Sequence, residues 1–172
     1  MSSLSPRRPW RRIAVAGLLV VVAIGFVRAW DASRQLPSGD GWRILAHQRA
    51  TGDRNQVRLI TDQAGLDAAW RELLIRSDPL EVDFRRSIVA WLTPVGTIAC
   101  TTRLDDVRFD RDRRLVDGTF SLGLTMGCGS PPVGDSFLVA LDRDRLPEAP
   151  YQVRILGPDP TGVTNGTLEV PG

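Results

Sequence analysis

The sequence predicts an α+β domain: a mostly antiparallel sheet of about seven strands with one amphipathic helix packed on it, preceded by an N-terminal hydrophobic helix. Three observations predict it. One stretch, Leu66 to Leu74, repeats apolar residues at three- and four-residue spacing. Several others are short, apolar or alternating, and bounded by turn-forming residues. The chain has no alternation of strand and helix patterns that would call for a parallel sheet, so antiparallel pairing is expected.

The leader comes first and is set aside from the fold. "PRRPWRR" runs into Ile13–Val27, fifteen residues without a polar side chain. As a helix, Ile13–Trp30 reaches about 27 Å, enough for a thin bilayer, with Arg28 snorkelling and Trp30 at the interface. Arginines before the segment place the N-terminus inside and the domain outside the cytoplasm. Two readings stand open: a signal anchor through residues 13–30, or a signal peptide cut near Ala29, where Val27 and Ala29 offer small residues at the required positions. Residues 1–30 are thus leader, 31–41 a polar linker, 42–157 the globular domain and 158–172 a turn-rich tail.

Charge must be divided the same way. Of 22 arginines, five precede Asp31, leaving 17 against 20 acids, a net −3. A mildly acidic domain gives no electrostatic case for nucleic acid. The 42% hydrophobic and 24% charged composition is that of a globular chain.

Within the domain, "GWRILAHQRAT" and "NQVRLIT" read as two strands with a turn between them. Thr61 or Asp62 can cap the helix, because either offers a side-chain oxygen to free backbone N–H groups. Leu66, Ala69, Trp70, Leu73 and Leu74 form its apolar face, and Asp78-Pro79 ends it. "SIVAWLTPV" is a buried central strand. "GTIACTTRLDDVRFD" and "LVDGTFSLGLTM" form a hairpin with "RDRR" at its tip. "SFLVALDR" and "YQVRILG" follow, and "TLEV" offers a further edge strand or a frayed end.

The segment "TMGCGSPPVGDSF", Thr125–Phe137, is rich in glycine and carries Cys128, Ser130 and Asp135. It lacks the Lys-Ser or Lys-Thr and following helix of a phosphate loop, and has no Gly-x-Ser-x-Gly elbow. Cys100 and Cys128 are expected to form a disulfide, since export delivers both to an oxidising space and the hairpin brings their strands together. Closing this loop would stabilise the fold by roughly 3.5 kcal/mol. Two free thiols are the alternative. The spacing is far from Cys-x-x-Cys, which leaves no redox motif. His47, the one histidine, has no companion in its sequence neighbourhood and reads as a surface or core-edge imidazole. Asp105 and Asp106, adjacent on a strand, should face opposite ways, and the other acids alternate with arginine in turns. Trp42, Trp70 and Trp91 are expected in the core. No residue is assigned a catalytic, cofactor-binding or metal-binding role.

Trp70 and Leu73 on the helix, "EVDF" at Glu81–Phe84, the strand "SIVAWL" and the closing "APYQVRIL" together resemble the C-terminal domain of the protease-complex subunit PrcB. That resemblance spans Trp42–Leu156. It implies a non-catalytic accessory domain in the cell envelope, associating with a protein partner such as a secreted protease. The expected function is therefore a membrane-tethered, extracytoplasmic accessory or binding domain. Two alternatives stay open: a small envelope hydrolase built on the Cys128–Ser130–Asp135 loop with His47, and an envelope domain that binds a small ligand.

Overall fold

A computed structural model describes residues 36–50, 56–94, 102–122, 134–157 and 164–171. The leader with its expected hydrophobic helix, and Cys100, Cys128 and Ser130, lie outside the described residues. Among those described, no helix is long and apolar enough to cross a membrane.

The domain is α+β, with one α-helix and mostly antiparallel strands, as the sequence predicts. Its sheet arrangement differs from the expectation of about seven strands in one layer. Nine strands are described, and they form two sheets. In chain order the first five strands are β1 (Ser38–Gly39), β2 (Trp42–Ala50), β3 (Gln56–Ile60), β4 (Ser87–Thr93) and β5 (Thr102–Asp110). Then come β6 (Leu115–Leu122), β7 (Gly134–Asp142), β8 (Tyr151–Leu156) and β9 (Thr164–Val170). Helix α1 (Gln63–Glu72) follows β3. One sheet has the order β1-β2-β7-β4-β3 and the other β5-β6-β8-β9. Among the described strands, only β6 and β8 pair in parallel. The strands beyond the expected seven are β1, inside the residues read as linker, and β9, inside the tail.

The described domain is layered: helix, five-stranded sheet, four-stranded sheet. Leu66, Ala69, Trp70 and Leu73 pack with Val89, Trp91, Leu138 and Ala140 on one face of the five-stranded sheet. The other face contributes Ile44, Ala90, Leu92, Phe137 and Val139 to a second core, met by Leu104, Val116, Phe120, Val153 and Ile155 of the four-stranded sheet. Both faces of β4 and β7 are covered, which is why "SIVAWLT" and "FLVAL" read as continuous apolar runs. Strands β6 and β8 bury only alternate residues and keep a polar outer face.

Local chemistry sets the element ends. The Asp62 side chain accepts from the Gly65 N–H at 2.7 Å and caps α1. The helix stops at Glu72, before Asp78-Pro79, because Leu74 adopts φ 54° and turns the chain out of the helix. The Ile75 N–H then bonds back to the Trp70 carbonyl at 3.2 Å. Ile75 packs against the helix-sheet core, and Leu74, expected on the buried face, is 80% exposed. "RDRR" is the tip of the β5–β6 hairpin, as expected.

The β1–β2 turn depends on two glycines. Gly41 takes φ 79°, a conformation that favours glycine. Gly39 lies against the Trp42 indole, where an added Cβ would collide with Nε1. Gly39→Ala is expected to dislodge β1 or the indole and to cost about 1–3 kcal/mol, the range for overpacking. Thermal unfolding together with tryptophan emission checks this. A red shift and a lowered Tm are the expected result.

Candidate functional site

The bulge in β2 decides which polar groups enter the sandwich. Ile44 faces Val139 and Ala46 faces Leu138, so Leu45 is the extra residue. Before the bulge, Trp42 and Ile44 point between the sheets; after it, Leu45 and Ala46 join the helix-side core. The inward parity therefore passes to His47, in register with Phe137. Bulges commonly re-aim a side chain in this way.

His47 lies flat on Phe137, with ring centroids 4.5 Å apart and planes within 9°. Its Nε2 is 3.2 Å from Asp135 Oδ1. A carboxylate only accepts hydrogen bonds, so Nε2 carries the proton. The second carboxylate oxygen accepts from the Thr102 N–H at 2.5 Å and from Thr102 Oγ1 at 2.8 Å. Asp135 is 2% exposed, while the His47 side chain is 35% exposed. Thus β2 and β7 of one sheet are joined to β5 of the other through one carboxylate. Arg49 stands directly opposite Asp135 in the β2–β7 register.

Burial pushes the Asp135 carboxyl up, but the hydrogen bonds from His47 and Thr102 outweigh it and hold the group below its ordinary value. The carboxylate is therefore ionised at neutral pH and accepts three hydrogen bonds.

A second polar network sits on the other face of the same sheet. Ser136 Oγ and Thr93 Oγ1 are 2.8 Å apart, and Trp91 Nε1 donates to Thr93 Oγ1 at 3.0 Å. Ser136 and Thr93 are both buried. Consecutive residues, Asp135 and Ser136, thus serve opposite faces of β7.

The structure brings together two residues that the sequence weighed separately, His47 and Asp135. Their separation of 88 positions explains why no local companion to His47 is visible in the sequence. A signal did exist: Asp135 shares the inward parity of Phe137, Val139 and Leu141, which puts a carboxylate at the mouth of a core strand. The pairing of Thr93 with Ser136 had no comparable clue, since hydroxyls occur freely at strand ends.

Asp105 and Asp106 correct the opposite-faces expectation. Leu104 faces Phe120 and Asp106 faces Thr119, so Asp105 is the extra residue of a bulge. Each aspartate then bonds an exposed arginine: Asp105 with Arg103 at 2.8 Å and Asp106 with Arg108 at 3.2 Å. Such exposed pairs contribute little stability. Asp110 accepts from the Arg113 N–H at 2.9 Å in the hairpin turn. Trp42, Trp70 and Trp91 are all buried, as expected. Among the described residues, no group of three or more His, Cys, Asp and Glu could hold a metal ion.

The fold and this cluster define a three-layer α/β/β domain with a polar clamp between its sheets. No family model, no curated protein and no solved structure matches the chain.

Proposed function

We propose that this protein is an extracytoplasmic accessory module that works by binding a protein partner in the cell envelope, held at or exported through the membrane by its apolar leader. The observation that carries the reading is that the imidazole is tied into a buried cluster joining the two sheets. Its far nitrogen, Nε2, is committed to Asp135. The same carboxylate accepts twice from Thr102 of the facing sheet, so the cluster works as a clamp between sheets. The leader sequence and the PrcB resemblance supply the envelope setting and the kind of partner, such as a secreted protease.

The test is native purification of the full chain from membranes, as wild type and as His47→Gln. A stoichiometric protein partner retained by both is expected. A chain isolated alone, and labelled by a fluorophosphonate only when His47 is present, contradicts the reading.

One observation favours the hydrolase alternative: the buried Asp135 orients a histidine, as a general base requires. On that reading, a nucleophile from the Cys128–Ser130–Asp135 loop would be activated by His47, so Ser130→Ala would abolish fluorophosphonate labelling or, for a thiol nucleophile, Cys128→Ala would abolish rapid alkylation by iodoacetamide.

The cysteines belong to the same proposal. Thr102 and Leu122 pair at the open end of the β5–β6 ladder. Cys100 lies two residues before the first and Cys128 six after the second. These short sequence separations from a paired ladder end, with the oxidising setting the leader implies, support a Cys100–Cys128 disulfide. Intact mass after alkylation, with and without reductant, is expected to show two alkyl groups only in the reduced sample. Alkylation of the unreduced protein would contradict the bridge.

A further inference from the structure

A groove of about 690 Å³ crosses the four-stranded sheet where β6 and β8 begin and β9 ends, away from the His47–Asp135 cluster. Leu115, Gln152 and Glu169 form one register row across these three strands, on the outer face. Arg113 and Arg114 stand at the β6 side and Glu169 at the β9 side. Between them Leu115, Pro150, Val170 and Pro171 supply apolar surface, with Tyr151 beneath.

Two features make this more than a charged rim. Arg114 adopts φ 57°, where glycine would be less strained, yet a long cationic side chain stands there. Among the described residues, no hydrogen bond or ion pair engages its guanidinium, although its carbonyl is fixed by the Gln152 N–H at 2.9 Å. Arg113 is held only loosely, 3.7 Å from Asp110. The opposite wall is also incompletely engaged, since Glu169 meets Gln152 Nε2 only at 3.4 Å.

Charge and spacing together define the ligand. From β6 to β9 is two strand spacings, about 9.6 Å. An extended peptide advances about 3.3–3.6 Å per residue, so three residues cover that span. The geometry points to a site for a short zwitterionic peptide of about three residues, with its carboxylate on Arg114 and Arg113 and its ammonium on Glu169. This goes beyond the accessory reading and does not depend on it: partner binding and peptide binding can each fail alone.

Calorimetric titration of the full chain with trialanine tests the site. Wild type is expected to bind, and acetylating the amino end or amidating the carboxyl end should each weaken binding at least about tenfold, the loss of one charge-assisted contact. Arg114→Gly is the informative variant. Glycine suits the left-handed turn, so Tm should hold or rise while trialanine binding is lost. Glu169→Gln should weaken trialanine but strengthen inorganic phosphate. Absence of trialanine binding by wild type overturns the proposal. So does equal binding of trialanine and its amino-acetylated form, or a Glu169→Gln variant that binds trialanine more tightly, because either result describes a simple anion site.

Discussion

Replacing Asp135 with alanine is expected to destabilise the protein by about 3–5 kcal/mol, the range for removing one partner from a buried charged hydrogen-bonded group. The carboxylate accepts from Thr102 twice and from His47 once, and it is almost fully buried. Alanine would leave the Thr102 amide without an acceptor at the start of an edge strand and would release β5 from the other sheet. For a domain of this size the cost corresponds to a fall in Tm of about 10–20 °C, read by thermal unfolding. His47→Ala removes only the partly exposed partner and is expected to cost less, about 1–2 kcal/mol. Acid should reproduce part of the effect. Because the folded-state pKa of Asp135 is depressed, its stabilisation is fully present above the unfolded value near 3.9 and is lost as pH falls through the lower folded value. The stability gap between wild type and Asp135→Asn should therefore be constant near neutrality and close below about pH 4. A gap that persists unchanged into acid would contradict this.

Trp70→Ala carries the second large effect. Trp70 is 3% exposed and binds α1 to the five-stranded sheet. Its Nε1 donates to the Ser77 carbonyl at 2.8 Å, tying the segment after the helix to the helix itself. Removing a buried tryptophan costs about 3–5 kcal/mol through lost burial and the cavity left behind. The loss also loosens the one layer that covers Val89, Leu138 and Ala140. Urea unfolding should show a lower midpoint, and the variant should aggregate more readily because that sheet face becomes accessible. Trp70→Phe keeps most of the volume and loses the hydrogen bond, so its cost should be about 1 kcal/mol. Equal losses for the two variants would mean that the indole hydrogen bond, not packing, fixes the helix.

Much of the fold is legible in residue patterns. The helix announces itself through Leu66, Ala69, Trp70 and Leu73, and through the Asp62 cap. The β5–β6 hairpin is written in two alternating segments joined by "RDRR". What the strand count does not reveal is which strands share a sheet. A clue lies in the contrast between β4, apolar on both faces, and β6 or β8, apolar on one. The first kind needs cover on two sides, which a single helix cannot provide. Leu74 shows a different limit: a helical spacing match says nothing about where the backbone leaves the helix, and one left-handed residue moved Leu74 to solvent.

The candidate site was legible only in pieces. His47 and Asp135 are each visible in the sequence, but the bulge at Leu45 turns the histidine inward, and no residue near it signals that extra position. Asp105 shows the same failure, where strict alternation is broken by one inserted residue. Long-range polar pairs depend on register, and register is set by the packed sheets.

Hydrogen exchange at the Thr102 amide, measured on the full chain by NMR, tests the clamp most directly. Thr102 opens an edge strand, where amides ordinarily exchange through fraying. Should the Asp135 carboxylate hold it as described, its protection will approach that of core amides such as Val139 in wild type and collapse in Asp135→Ala. Exchange at the rate of a free strand end in the wild-type protein would show that the two sheets are not joined there, and that His47 and Asp135 are free for another task.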